Sequence, residues 1–409
     1  MVAPKRRIFQ RAILAFLLAG VVLAPAPSAT AQDAGASDSL GVFLVTIGPG
    51  PAVWERFGHN ALWIHDPDAG TDIAYHWGLF DMSEAGFMVE FLRGRMVYSM
   101  GDADAIRLIE AYRGVGRDVT IQALALTRAE ARDLQRFVEW NVRPENRRYR
   151  YDYFRDNCST RVRDALDEAL GGAIRRELEA RPAELTYRAQ AIDLTSDDVL
   201  LTTGMDLGLG PLADQPISRW ELAFIPMRLR DDVGTLSVTR DGRRVPLVAS
   251  ERSLPARGGD VMAPADESSP VVRTIGHLLV GLLLGGLLVA GAVLGFGTGP
   301  GPRRRLGRWL VGGISSLWGL TTGLLGLVLL GLWVLTDHEF AWSNENLLQA
   351  NPLALALVVL APLAVVRGGS TRATRLAGLL LGLSLFGLFL HPLPVTPQAN
   401  LAIIALALP

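Results

Sequence analysis

The chain of 409 residues contains a single cysteine, Cys158, so it cannot form an internal disulfide. Lysine is equally scarce, because Lys5 is the only one and arginine carries almost all of the positive charge. The formal net charge is −1, and acidic and basic residues alternate without the basic stripe that nucleic-acid binding needs. We therefore expect no nucleic-acid partner. The single thiol is expected either to be buried and unreactive or to take part in a reaction.

Several motifs of well-known enzyme classes are also missing: Gly-x-Ser-x-Gly, a phosphate-binding glycine loop and His-Glu-x-x-His. The turn Asp66–Asp72 faintly resembles a calcium loop, but Trp77 stands where the bidentate Glu of an EF-hand would be. The spacing of His59, His65 and His76 does not suit a metal site either. We predict a β-turn here, no metal and no cofactor.

The N-terminus has the three parts of a signal peptide: the basic residues Lys5–Arg7, the apolar run Ala12–Ala24 and the small residues Ala29–Ala31. An uncleaved anchor is the alternative, and in either case the following domain is exported. The predicted domains are a signal peptide over 1–31, a periplasmic thiol-enzyme domain over 32–252, a linker over 253–273 and a transmembrane helical domain over 274–409.

The exported part has the pattern of an α+β domain. Helical periodicity and a Thr127-x-x-Glu130 capping box alternate with apolar, β-rich runs, and Asp241-Gly242 marks a hairpin. Strands are predicted over Leu40–Ile47, Ala61–His65, Ile73–Phe80 and Val119–Leu124, and helices over Glu84–Arg93, over Ala103–Tyr112, from Thr127, and from Asp156-Asn157 to Gly171.

The last third has long runs without Lys, Arg, Asp or Glu, which predicts an all-α membrane domain of about four spans. Arginines cluster between spans one and two and between spans three and four, so those loops should be cytoplasmic and the N-terminal domain periplasmic, in a multi-pass protein of the bacterial cell membrane. The predicted spans are Thr274–Phe296, Trp309–Leu335, Leu347–Val366 and Leu376–Leu390, with Leu401–Leu408 undecided.

Cys158 falls in the first turn of a predicted helix, where backbone N–H groups and the helix dipole lower a thiol pKa and could hold an oxyanion. A thiolate needs a base, and His59 opens a strand after a turn. We therefore predict Cys158 as nucleophile and His59 as base, with His76 on the next strand as orienter. The alternative is a small buried Cys158 that only packs the helix start.

Three motifs resemble the Lnb-type lipoprotein N-acyltransferase family: 57–62 (FGHNAL), 75–81 (YHWGLFD) and 149–161 (YRYDYFRDNCSTR). This resemblance implies a permuted papain-like exported domain, related to NlpC-type peptidases and lecithin:retinol acyltransferase. His59 and Cys158 match the family's base and nucleophile. His76 occupies a position where the family has Asn, so Asn60 and Asp72 remain alternatives for the third residue.

The resemblance implies that a fatty acyl chain moves from a membrane phospholipid, through a Cys158 thioester, to the N-terminal amine of a lipoprotein. The lipid bilayer is then a partner as well. The rival interpretations are a periplasmic cysteine amidase or peptidase acting on cell-wall peptide, and a non-catalytic membrane scaffold. Candidate substrate-binding residues, all from the third motif, are Tyr153, Arg155, Asn157 and Arg161.

Overall fold

The computed structural model describes residues 40–258, 269–298, 301–393 and 398–409. The predicted signal peptide lies outside these residues, and so does 259–268 of the predicted linker. In the described part of the exported region, seven strands form one antiparallel sheet in the order β6-β4-β3-β2-β1-β5-β9. The strands of this sheet and of a separate hairpin, formed by β7 and β8, are β1 (Gly41–Ile47), β2 (His59–Asp66), β3 (Thr71–Leu79), β4 (Val97–Asp104), β5 (Val119–Leu124), β6 (Arg148–Arg150), β7 (Ser237–Arg240), β8 (Arg243–Pro246) and β9 (Val248–Leu254).

Nine helices of this region surround the sheet, and two apolar clusters fill its two faces. Leu44, Leu62 and Leu166 are fully buried on one face, where each contributes about 2 kcal/mol to stability. The helices are α1 (Phe87–Leu92), α2 (Ala105–Gly114), α3 (Arg128–Asn141), α4 (Cys158–Ala169), α5 (Ala173–Glu179), α6 (Tyr187–Asp193), α7 (Val199–Gly208), α8 (Arg219–Leu222) and α9 (Pro226–Thr235).

Most predicted elements are present, which confirms the α+β class, but two boundaries were wrong. The predicted helix over Ala103–Tyr112 begins later, because strand β4 continues to Asp104, whose side chain caps α2 by accepting from the Arg107 N–H at 2.8 Å. The helix predicted over Glu84–Arg93 is shorter in the structure, where it corresponds to α1 alone. Strands β4, β6 and β9 lack the apolar alternation that would have predicted them: β9, for example, is Val-Ala-Ser-Glu-Arg-Ser-Leu.

The membrane region is helical, as predicted, with three helices long and apolar enough to cross a bilayer, or four if a bent pair counts as one span. The predicted span Leu347–Val366 is this pair, broken before Pro352 with a bend of 52°. A short C-terminal helix packs against the first span. The helices are α10 (Pro270–Phe296), α11 (Gly301–Leu335), α12 (Leu357–Arg367), α13 (Thr371–Leu390) and α14 (Leu401–Ala407).

Helix α11 fixes the orientation of the membrane region. Its 35 residues extend about 52 Å, with the arginines at 303–305 and Arg308 in its first turns. Arg308 approaches Gly368, just after α12, so the two arginine-rich segments lie on the same side. The opposite end, Leu335, leads into a loop that contacts the exported domain.

Two contacts hold the exported domain on this loop. The ionic contact is half exposed and involves Asp337 and Glu339. The amide contact is buried and uses side-chain amides that donate to the last carbonyls of α7, which no helical N–H satisfies. The ionic contact consists of Asp337 with Arg95 and Arg150, and Glu339 with Arg155. In the amide contact, Asn344, Asn346 and Gln398 donate to the carbonyls of 206–209, and Asn400 donates to Asn346 Oδ1.

Candidate active site

Cys158 is the first residue of α4, and Asn157 fixes the start of that helix. The Asn157 Oδ1 accepts from the N–H groups of Ser159 at 2.8 Å and Thr160 at 3.0 Å, which satisfies two donors of the first turn. Its Nδ2 donates to the Phe224 carbonyl at 2.9 Å. The structure therefore employs Asn157, a predicted substrate-binding residue, as a buried helix cap that orients Cys158.

The two predicted histidines meet on neighbouring strands. His59 is opposite Ile47 of β1 and His76 is opposite Ala61 of β2, so both lie on the face of the sheet that α2 covers. His59 Nε2 lies 3.0 Å from His76 Nδ1, in a hydrogen bond whose direction depends on the tautomers. His76 is only 6% exposed, so its ring is held firmly against His59.

A bulge in β3 gives Cys158 room at this end of the sheet. The register with β4 shifts between His76 and Leu79, and Gly78 has a φ of +92°. A Cβ on Gly78 would lie 3.4 Å from the Cβ of Cys158 and would also be strained by this backbone conformation. Glycine at this position therefore lets the helix start approach the strand.

Asn60 connects the first turn of α4 to the sheet. Its Nδ2 donates to Ser159 Oγ at 3.1 Å, and its Oδ1 accepts from Thr46 Oγ1 at 2.9 Å. Its backbone N–H faces the Cys158 sulfur and lowers the pKa of the thiol. Among the described residues, however, no hydrogen bond joins the thiol to either imidazole. Asn60 thus holds the first turn of α4 against β2, while the predicted Cys158–His59 dyad is not a preformed hydrogen-bonded pair.

Burial sets the protonation states of Cys158, His59 and His76. It raises the pKa of Cys158 to about 11, although backbone N–H groups and Arg117 act in the opposite direction. Burial also lowers the pKa of His76 to about 4, and burial together with the His76 and Arg117 charges lowers the pKa of His59 well below its usual value. The expectation of a lowered thiol pKa was wrong, because desolvation outweighs the helix N-terminus. At neutral pH the thiol and both imidazoles are uncharged.

Arg117 is a part of the site that the sequence analysis missed. It is 3% exposed, donates through Nε to the Gly48 carbonyl at 2.8 Å and lies over the ring of Tyr112, 4.9 Å from its centroid. One of its terminal nitrogens is buried without a hydrogen-bond partner in the described structure. No local pattern marks this residue, because its neighbours come from the 48–55 turn and from α2.

Tyr149, on β6, is a second missed residue. Its hydroxyl is buried and has no hydrogen-bond partner among the described residues. Burial raises its pKa, and a negative charge on Cys158 would raise that pKa further. The hydroxyl therefore stays protonated near Cys158, as a donor without an acceptor among the described residues.

Two family models match this chain. The Lnb N-terminal periplasmic domain matches residues 28–191, and the Lnb transmembrane domain matches residues 304–408. The chain belongs to the Lnb family. Searches of curated proteins and of solved structures gave no match. The two matches and the apolar helices make this a membrane protein whose N-terminal domain is periplasmic.

The two arginines predicted to bind substrate in this Lnb protein are engaged elsewhere. Arg155 belongs to the ionic contact, with its NH1 2.8 Å from Glu339 Oε2. Arg161 forms a two-pronged ion pair with Asp156 and lies over the ring of Tyr149, 4.3 Å from its centroid. The Arg161 charge is thus neutralised by Asp156, and Arg155 is paired with the membrane loop.

Tyr153, the fourth predicted substrate-binding residue, lies where the exported domain meets the membrane loop. Its ring stacks on His338 at a centroid distance of 6.1 Å, and its hydroxyl lies 3.3 Å from the Met96 sulfur. It is 38% exposed, so part of the ring can still contact another molecule.

Asp72 does not contact the histidine pair. Its Oδ1 accepts from Trp63 Nε1 at 2.8 Å and lies 2.9 Å from His65 Nδ1. Of the two alternatives to His76, only Asn60 is therefore at the site. The residues described contain no group of three or more His, Cys, Asp or Glu side chains that could hold a metal.

Proposed function

We propose that this Lnb protein is an acyltransferase that moves a fatty acyl chain from a membrane phospholipid, through a thioester on Cys158, to the N-terminal amine of a lipoprotein. The observation that carries the proposal is that the capped start of the Cys158 helix faces the backbone N–H of Asn60, the residue after His59, in a periplasmic domain that is held at the end of a membrane span. Both substrates are anchored in the same bilayer.

His59 acts as base in one tautomer. When its Nε2 donates to His76 Nδ1, the Nδ1 lone pair of His59 is free to take the thiol proton. His76 is then a positioning residue. Since the pKa values keep the thiol and imidazole neutral at rest, proton transfer accompanies attack on the ester carbonyl rather than preceding it.

The reaction then proceeds in two steps, acylation of Cys158 and transfer of the acyl group to the lipoprotein amine. The Cys158 sulfur bonds to the acyl carbon, the ester C–O bond breaks and His59 returns the proton to the lysophospholipid alcohol. The lipoprotein amine then attacks the thioester carbonyl, the C–S bond breaks, His59 passes the amine proton to the released sulfur, and an amide forms. Arg117 and Tyr149 supply the charge and the hydroxyl donor near the sulfur that stabilise the oxyanion of each tetrahedral intermediate.

The test is mass spectrometry of a lipoprotein's N-terminal peptide from cells without other N-acylating activity. The parent chain and His65→Gln should give N-acylated peptide, whereas Cys158→Ala and His59→Gln should not. His65 is the matched control because it lies on the same strand as His59 but bonds to Asp72.

A second measurement checks the intermediate. Intact-mass analysis of the parent should show an acyl adduct that hydroxylamine removes and that is absent from Cys158→Ala. Acylated peptide from both the parent and Cys158→Ala would remove the thiol from the mechanism. No acylated peptide from a correctly inserted parent, together with cleavage of cell-wall peptide, would replace the acyltransferase with the amidase.

A further inference from the structure

The short helix α1 exposes apolar side chains that the exported domain does not cover. Met88, Val89 and Leu92 are 54%, 49% and 63% exposed. Positions 88, 89 and 92 are neighbours on one side of a helix, so they form a continuous surface, called here the α1 apolar face. Phe87 and Phe91 lie on the other side and pack against the core of the domain.

The α1 apolar face lies at the end of a membrane span. The Asp337 N–H donates to the Arg93 carbonyl at 2.8 Å, and His338 Nε2 lies 3.0 Å from the Phe91 carbonyl. Asp337 follows the last residue of α11, Leu335, by only two positions. Gly94, with a φ of +73°, allows this approach, because a Cβ there would lie 2.8 Å from the backbone of 337–338.

The surroundings of the α1 apolar face are those of an interfacial helix. Arg93 pairs with Glu90 and Arg95 with Asp337, so charged groups border the apolar side chains. Trp333, 43% exposed on the last turn of α11, is a residue type that is enriched at the membrane surface. A lipid surface is therefore the partner whose chemistry fits this face.

An aromatic row leads from α1 toward the nucleophile. The ring centroids of Phe91 and Phe87 are 6.3 Å apart, and those of Phe87 and Phe80 are 5.8 Å apart. Phe80 follows Gly78, the glycine beside Cys158, by two residues. Leu79 between them is 39% exposed. Apolar side chains thus follow one another from the end of the span to the end of β3 that lies beside Cys158.

We propose that the α1 apolar face is embedded in the periplasmic leaflet of the bilayer, and that the row Phe91, Phe87 and Phe80 guides an acyl chain from this leaflet to Cys158. The membrane contact stands on the geometry of α1 and α11 alone. The guiding role rests on the proposed acyl transfer.

Spin labelling tests the membrane contact without any need for activity. In a Cys158→Ala background, labels are placed by Val89→Cys and, as a control, Ile106→Cys, and the protein is reconstituted into nanodiscs of phosphatidylethanolamine and phosphatidylglycerol. Ile106 is 51% exposed and follows the far end of β4, about 23 Å along the strand from the end beside α1. The Val89 label should collide more with oxygen and less with a water-soluble nickel chelate than the Ile106 label. Equal collision with the chelate would overturn the contact.

A second pair of variants tests the guiding role in the chain that retains Cys158. We expect Val89→Asp to lower the ratio of acyl transfer from bilayer phospholipid to transfer from a short-chain, water-soluble ester by roughly tenfold, because a carboxylate opposes insertion. Ile106→Asp is the control, and an equal ratio in both variants would overturn the guiding role. If the parent used neither ester, the proposed function and the guiding role would fail together, while the spin-label result would still decide the membrane contact.

Discussion

The amide contact and the ionic contact join the same two regions of the molecule by opposite means. In the amide contact, Asn346 is fully buried and donates to the carbonyls of Asp206 and Leu207 at 3.1 and 3.0 Å. In the ionic contact, the side chains of Asp337 and Arg95 are 35% and 56% exposed. Buried neutral donors are costly to remove, whereas exposed ion pairs add little to stability. The amide contact therefore holds the exported domain, and the ionic contact sets the position of α1 next to the site.

The site repeats this contrast, because its groups are buried or half-buried and mostly neutral. His59, His76 and Cys158 are kept uncharged by desolvation, and Arg117 is the buried exception. If burial decides the importance of a polar group in this protein, changes to its buried polar groups should cost more than changes to its exposed ones.

Arg117→Gln should reduce acyl transfer about a hundredfold, whereas Arg155→Gln should reduce it no more than about twofold, because only the first charge is desolvated. Arg117 also lowers the pKa of Cys158, so the variant thiol should be alkylated more slowly than the parent thiol at each pH below 11. Initial rates and alkylation rates measure the two effects. Unchanged alkylation with lowered transfer would limit Arg117 to stabilising the oxyanion, and unchanged transfer would contradict its role in the reaction.

Asn346→Ala should lower the free energy of unfolding by about 2–3 kcal/mol, because three hydrogen bonds of a buried side chain are lost: two that Asn346 donates to the carbonyls of Asp206 and Leu207, and one that its Oδ1 accepts from Asn400. Asn351→Ala is the control, since Asn351 lies outside the amide contact and caps the next short helix, and should cost about 1 kcal/mol. Thermal unfolding in nanodiscs measures both variants. Equal losses would contradict a special role for the amide contact.

The free energy of unfolding should fall as pH drops from 6.5 toward 4, by up to about 1.4 kcal/mol per pH unit for each buried histidine. The folded pKa of His76 is lowered to about 4, so between the unfolded and folded values the unfolded chain binds more protons. The contribution of the neutral histidine to stability is thus fully present above pH 6.5 and is lost as the pH falls toward 4. His76→Gln should flatten this dependence in denaturant titrations, and His65→Gln should not; the same slope in both would argue against the buried pair as its source.

Asp337→Asn should leave the melting temperature within experimental error but lower acyl transfer about threefold, because Arg95 and Arg150 lose the charge that fixes them beside α1. Added salt should weaken the parent's transfer in the same direction, since it screens exposed pairs. Asp241→Asn, at an exposed hairpin turn, is the control. A large drop in melting temperature for Asp337→Asn would show that the ionic contact carries stability after all.

The sequence alone determined those features of this protein that depend on interactions between residues a few positions apart. The Thr127–Glu130 capping box, the Asp241-Gly242 turn with φ of +48° and +76°, and the helix that starts at Cys158 were predicted and are confirmed. The charge-free helices and the arginines of α11 likewise predicted that the N-terminal domain is periplasmic, because the length of an apolar run and the positions of positive charges decide how a chain inserts into a bilayer.

Only the tertiary structure decided how the site is assembled. The His59–His76 bond, the β3 bulge at Gly78 and the buried Arg117 bring together residues from distant segments, so no window of sequence contains their cause. The direction of the Cys158 pKa shift depended on the same packing. A helix N-terminus is a local feature that lowers the pKa of a thiol, but desolvation is a sum over every atom that surrounds the sulfur, and that sum exists only in the folded chain.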